Sequence, residues 1–256
     1  MPVTDMSHWT SAPQKKVARK PRAQVDTVML LLLLLLMTLT SALLFNRVVK
    51  VASSRDVILG SSSPRRREIM ADLLGFGESG FRIMKPSFEE DLSKDGVTPS
   101  EYTMQTAMGK ATSLLRELDE KTNDGKPVVI ICADTTVDLD GAVLEKPRDA
   151  ADAERMLMSM SGREHRVHTS VVICSASGPV SSFVETATVR FTPFSAEDVR
   201  GYIATGEPKD KAGAYGIQGM GAQLVESISG DYYAVMGLPV RRLGATLASL
   251  WDEGKI

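Results

Sequence analysis

The chain has 256 residues, enough for one large domain or two small ones around a substantial core. Its 30 basic and 32 acidic residues leave a net charge of -2. That balance excludes a surface built to coat nucleic acid, so any basic patch is local and suits a small anionic ligand. Its two cysteines, Cys132 and Cys174, lie inside apolar runs. They exclude a disulfide framework or a thiolate metal site and fit a reducing, cytoplasmic compartment.

Residues 1–26 carry Lys15, Lys16, Arg19, Lys20 and Arg22 without an apolar period and are predicted to be disordered. An apolar segment follows over 27–46, with an unbroken leucine run from Leu30 to Leu36. The stretch Val28 to Phe45 is at the lower limit for crossing a bilayer, and a basic segment ahead of it has the layout of a signal anchor or a cleaved targeting segment. A third reading places the start of translation at Met29, Met37 or later and makes the extension inert. Arg47, Lys50 and Arg55 on its far side weaken the charge asymmetry that would send the remainder across a membrane. Contact with a membrane is expected only through residues 28–45.

From residue 55 onward strands and helices alternate without a repeat, the pattern of a single mixed α/β domain over 55–256. Val57 to Leu59 reads as a buried strand, and Arg65 to Leu74 as a helix with Pro64 at its start and a serine cap. Phe81 to Lys85 is a second strand, followed by an acidic loop from Ser87 to Asp91. Thr98-Pro99-Ser100-Glu101 is a capping box that opens a helix to about Leu118, and Asn123 to Pro127 ends it. Val128 to Ala133 is the continuous apolar run of a strand covered on both faces, and Asp140-Gly141 turns a hairpin. Asp149 caps a helix through Ser159 that Gly162 ends. His165 to Ser175 and Val180 to Phe191 are predicted strands, and Ser195 with Asp198 starts another helix. A glycine-rich segment covers 206–221, Leu224 to Ile228 is a strand, and Pro239 to Trp251 is the closing helix.

The candidates for chemistry cluster in these connections. Arg65, Arg66 and Arg67 at a helix start oppose the helix dipole, and with three serine hydroxyls beside them they suit a phosphate chain; the alternative is a capped surface helix with solvated arginines. Ligands of open α/β sheets gather beyond carboxyl strand ends, where Cys132-Ala133-Asp134-Thr135-Thr136 falls. Asp134 there can hold a divalent metal, take a proton from water, or bond its own turn. Lys146 can bind phosphate or pair with the nearby carboxylate, and Lys110 can do the same or face solvent. Glu89, Glu90 and Asp91 offer hard oxygen donors to Mg²⁺ or Mn²⁺, or a plain exposed loop. Within the glycine-rich segment, Tyr215, Ile217 and Gln218 are not linker residues, and the Gln218 amide carries the donor and acceptor that a uracil or thymine edge can meet. His165 and His168 read as ordinary strand residues.

Four separated stretches resemble the Maf family of nucleoside triphosphate pyrophosphatases: Leu59 to Glu68, Ala133 to Lys146 with the helix up to Arg163, Gly206 to Gly221, and Gly230-Asp231-Tyr232-Tyr233 through Gly237-Leu238-Pro239. The likeness covers about residues 56 to 250. It implies a mixed α/β sheet with flanking helices and a deep cleft, of the inosine triphosphatase-like kind. It also implies cleavage between the α- and β-phosphates to a monophosphate and pyrophosphate. Ser63-Pro64-Arg65-Arg66, Asp134-Thr135 and Tyr215-Gly216-Ile217-Gln218 are similar to the subfamily acting on dTTP and UTP. A sister subfamily prefers 7-methyl-GTP, and a non-catalytic nucleotide-binding regulator of cell division is the other alternative. On this resemblance Asp134 matches the proton acceptor, and Arg65, Thr135 and Gln218 match positions tied to substrate choice. Arg66, Lys110, Lys146 and Glu90 match further cleft residues, with Asp134 and Glu90 as ligands of Mg²⁺ or Mn²⁺. A homodimer is expected, with no nucleic-acid partner. The chain departs from the family at Gly60, where alanine is usual, and at Asp138, where an apolar residue is common.

Overall fold

The computed structural model describes residues 45–89, 91–118 and 125–256. The basic segment 1–26, the apolar segment up to residue 44, Glu90 and the helix-ending Asn123-Asp124 lie outside the described residues. Among the described residues no helix is long and apolar enough to cross a membrane.

Residues 45–54 are helical (α1) and lead into strand β1, Asp56–Gly60. Helix α2, Pro64–Glu68, widens at Ile69–Leu73 into a π-helical turn that buries Ile69, Met70 and Ala71. Ser63 stands at the N-cap without the side-chain bond expected of it. The expected second strand is reduced to Arg82–Ile83 (β2), and the capping box at Thr98 and Glu101 is made in both directions at the start of α3, Pro99–Glu117. The central strand β3 runs from Val128 to Leu139, six residues beyond the apolar run. Asp140 and Gly141, both at positive φ, then return the chain into β4, Ala142–Leu144. Helix α4, Ala150–Met160, is capped by Asp149, and the long hairpin of β5, Glu164–Ser175, and β6, Gly178–Phe191, follows. Then come α5, Ala196–Ala204, a run of 3₁₀ turns between Glu207 and Leu224, β7, Val225–Ser229, α6, Tyr232–Met236, and α7, Val240–Asp252.

The strands form one mixed sheet in the order β2-β1-β3-β5-β6-β7, with β4 pairing the far end of β3. β2, β1 and β3 are parallel and the remaining pairs antiparallel. The apolar run of β3 serves both faces. Val129, Ile131 and Ala133 join the larger core with α2, α4 and α7, while Val128, Ile130 and Cys132 pack beneath α3. Gly60 faces α3, where an alanine Cβ would overlap Cys132 Sγ and stand 2.6 Å from Leu114 Cδ1. The close approach of Cys132 and Leu114 leaves no room for a methyl at this position. Asp138, at a position where an apolar residue is common, is buried. Its carboxylate accepts from the Gly141 amide at 2.7 Å and meets His168 Nε2 at 3.2 Å, so it ties the β3–β4 turn to β5.

β1 ends where Gly60 pairs with Cys132, but β3 continues. The chain after Gly60 turns away through three serines, and the side chains from Asp134 onward are left facing an opening. Thus the cleft lies beyond the carboxyl end of β1, and Asp134 sits in mid-strand rather than in a turn.

Candidate active site

The opening is a cleft of about 560 Å³. Its walls are the serine turn and α2, the Asp134–Val137 stretch of β3, α3, the exit of β4, and the 3₁₀ segment around 209–218. Arg65, Arg66, Lys85, Lys110, Lys146, Lys209 and Lys211 line it against Asp134, Glu145 and Asp210. A protein close to neutral overall therefore concentrates positive charge at one place, which suits a polyanionic ligand.

On the floor, Lys110 Nζ donates to Asp134 Oδ1 at 2.7 Å, with both side chains almost buried. Lys110 belongs to α3, whose capping box fixes the helix start, and Asp134 to a strand paired on both sides. Arg66, also buried, donates from Nε to the Gly237 carbonyl at 2.8 Å, from Nη1 to Ser61 Oγ at 3.2 Å and from Nη2 to Thr135 Oγ1 at 2.9 Å. Ser61, not Ser63, is thus the serine that organises the turn, since its oxygen also accepts from the Ser63 amide.

At the mouth, Arg65 Nη1 lies 3.1 Å from Asp210 Oδ2, and the Gln218 amide nitrogen donates to Glu68 at 3.3 Å. Both contacts join α2 to the glycine-rich segment. That segment is pinned rather than loose. Glu207 accepts from the amides of Met220 and Gly221 and from the Tyr202 hydroxyl. A Cβ at Gly219 would stand 2.5 Å from the Glu207 carboxylate, and one at Gly221 would stand 2.6 Å from the Tyr202 hydroxyl. Tyr215 and Ile217 are buried in the main core and also line the cleft, with the exposed Gln218 beside them.

Lys146 is exposed on the rim and Glu145 beside it is held by Tyr102 and Lys94, each at 2.6 Å. Burial and the Glu145 carboxylate push the Tyr102 hydroxyl up, so it stays a donor. Burial likewise pushes the Cys132 thiol up to about 12 and the Cys174 thiol up to about 11, and neither is a nucleophile at neutral pH. Of the acidic loop, Glu89 and Asp91 are not among the residues lining the cleft. Glu90 lies outside the described residues, and among those described no group of three or more His, Cys, Asp or Glu could enclose a metal ion.

Arg65, Arg66, Lys110, Asp134, Thr135, Lys146 and Gln218 therefore share one cleft, as their sequence contexts suggested. Thr169 and Asp210 were missed, and Ser61 and Gly237 were noted without the contacts they make to Arg66. Ser61 was one of three equivalent serines, and Asp210 was one charge in a glycine-rich stretch. Thr169 looks like any strand threonine.

A mixed-sheet domain with a cation-lined cleft built on one buried carboxylate has the layout of an enzyme of anionic substrates. The chain belongs to the Maf-like protein family, whose model matches residues 56–250. It is 44% identical over 200 residues to the dTTP/UTP pyrophosphatase of Shewanella denitrificans, across 77% of this chain and 96% of that protein. It is 41% identical over 195 residues to the dTTP/UTP pyrophosphatase of Ralstonia nicotianae, across 74% of this chain and 91% of that one. Among solved structures, the Staphylococcus aureus Ham1 protein matches with a TM-score of 0.41 and 14% identity, over 79% of this chain and 100% of that chain.

Proposed function

We propose that the protein hydrolyses dTTP and UTP to the monophosphate and pyrophosphate. The observation that carries this reading is the buried Asp134–Lys110 pair on the floor of a cleft ringed by Arg65, Arg66 and Lys146. The names of the relatives at 41–44% identity support the choice of nucleotide.

In this reading the cations hold the triphosphate and neutralise charge as it shifts toward the leaving pyrophosphate. Lys110 occupies Asp134 Oδ1, which leaves Oδ2 to orient a water and take its proton. The water oxygen forms a bond to the α-phosphorus, the bond to the α–β bridging oxygen breaks, and the electron pair leaves with pyrophosphate. Gln218 is the base reader. The Glu68 oxygen takes one N–H of the Gln218 amide, which leaves the carbonyl and a second N–H for the O4 and N3–H edge of uracil or thymine. Thr135 lies deeper, with one lone pair of its hydroxyl left for substrate.

Mg²⁺ or Mn²⁺ fits the donor set in one way. Such an ion is commonly held by one or two carboxylates together with substrate phosphates, and Asp134 supplies a hard oxygen beside the place of the triphosphate. Glu90 is the second candidate ligand. The ion would add charge neutralisation on the phosphate oxygens.

The test is the full chain incubated with UTP, dTTP, CTP, GTP and 7-methyl-GTP and Mg²⁺ or Mn²⁺, with pyrophosphate release as the readout. Turnover of UTP and dTTP is expected, and Asp134→Asn should abolish it while nucleotide affinity persists. Binding of UTP without pyrophosphate release overturns the reading.

A further inference from the structure

Five residues from four elements close a ring of hydrogen bonds on Arg66. Its Nη2 donates to Thr135 Oγ1 at 2.9 Å, and Thr135 Oγ1 is 2.9 Å from Thr169 Oγ1. Thr169 donates to the Ala234 carbonyl at 2.7 Å, the same carbonyl accepts from the Gly237 amide at 3.1 Å, and the Gly237 carbonyl accepts from Arg66 Nε at 2.8 Å. The directions follow from chemistry. A carbonyl only accepts, so the Thr169 proton is spent on Ala234, and Thr135 must be the donor in the bond between the two threonines.

Thr169 is fully buried on β5 and is not among the residues lining the cleft, yet it supports Arg66 from two sides. Through Thr135 it orders the acceptor of Nη2. Through Ala234 it fixes the last turn of α6, whose C-cap Gly237 supplies the acceptor of Nε. Gly237 must come close to do so. Its φ is +115°, and a Cβ there would stand 3.2 Å from Thr135 Oγ1 and 3.4 Å from Arg66 Nε. The Gly230-to-Pro239 motif thereby acquires a task that the strand and helix pattern did not explain. It carries the far half of a clamp on a guanidinium.

We infer that Thr169 is a positioning residue for the phosphate chain: it sets the Arg66 guanidinium through Thr135 and α6, so its loss weakens the grip on phosphate whatever the base. This rests on Arg66 holding phosphate in the reading above. A preset fork loses less entropy per bond formed, and that advantage disappears if the side chain must find its rotamer on binding.

The experiment compares wild type, Thr169→Val and Thr169→Ser as full chains, reading affinity for inorganic triphosphate by calorimetry and kcat and KM for UTP and dTTP. Thr169→Val replaces the hydroxyl with a methyl of similar size and so removes both of its bonds. It should weaken triphosphate binding about tenfold and raise KM for UTP and dTTP by the same factor, with kcat changed less, and Thr169→Ser should keep wild-type values. Thr169→Cys, with a weak thiol donor, takes the place of the valine variant if that one does not fold. Unchanged triphosphate affinity in the variant overturns the inference, as does a change confined to the UTP:dTTP ratio. If wild type binds triphosphate but releases no pyrophosphate from UTP, the proposed activity fails while the positioning role is still tested by the binding arm.

Discussion

Lys110 and Asp134 form an ion pair with only 10% and 11% of their side chains exposed, and it joins α3 to β3 through charge. Two charges brought this far from water repay their desolvation only as long as both are present. Lys110→Met therefore leaves a buried carboxylate without its main partner. The expected loss is ~3 kcal/mol of stability, read from urea unfolding, together with loss of turnover. The double variant Lys110→Met/Asp134→Asn should cost less than the sum of the two single changes. Strict additivity would show that the two groups do not act as a pair.

The pair at the mouth behaves differently. Asp210 is 57% exposed at the side chain and Arg65 21%, so their bond contributes little to stability. On the proposed function, its carboxylate nevertheless occupies a guanidinium that would hold the triphosphate, and binding must displace it. Asp210→Asn should leave the unfolding midpoint unchanged and lower KM for UTP about threefold, whereas Arg65→Ala should raise KM. An increase of KM in Asp210→Asn would mean that this carboxylate helps to hold the substrate.

What could be read in the sequence, and what could not, follows from the range of the interactions involved. The caps at Thr98, Asp149 and Ser195 are bonds across three residues, and each forms as expected. The Asp140-Gly141 turn is equally local. Strand β3 was cut short because Asp134, Thr135 and Asp138 look like the start of a loop. Their partners Lys110, Arg66 and His168 lie 24, 69 and 30 residues away, and only the fold brings them together. The π turn after α2 leaves no periodic signature, since its apolar residues Ile69 and Met70 fit an ordinary helix as well. Motif chemistry brought Arg65, Arg66, Lys110, Asp134 and Gln218 to attention. The ring that orients Arg66 stayed hidden because a threonine in a strand is the expected residue for packing alone.

Gly60 offers a test of packing at the hinge between β1 and the serine turn. An alanine there overlaps Cys132 Sγ and crowds Leu114, so Gly60→Ala should destabilise by about 1–3 kcal/mol. Cys132→Ala empties the space that the new methyl needs. The double variant should therefore recover most of the loss, measured as a coupling in a double-mutant cycle. No recovery would place the strain elsewhere on the strand.

His165 ties acid sensitivity to the segment that carries Gln218. Its Nε2 lies 2.9 Å from the Tyr215 hydroxyl, and its ring packs edge-on against Phe191 and Tyr215 with centroids 4.7 and 5.4 Å away. Burial pulls the imidazole down from 6.5 to about 4, so it is neutral in the fold. Between these values the unfolded chain binds the proton and the folded chain does not. Stability is thus complete above pH 6.5 and is lost as pH falls toward 4, by up to ~3 kcal/mol from this one group. Urea unfolding at pH 7, 6, 5 and 4.5 should show that loss in wild type and a flatter profile in His165→Phe. Because Tyr215 precedes Gly216-Ile217-Gln218, KM for UTP should also rise in wild type over the same interval, and equal slopes in the two proteins would assign the acid sensitivity to another group.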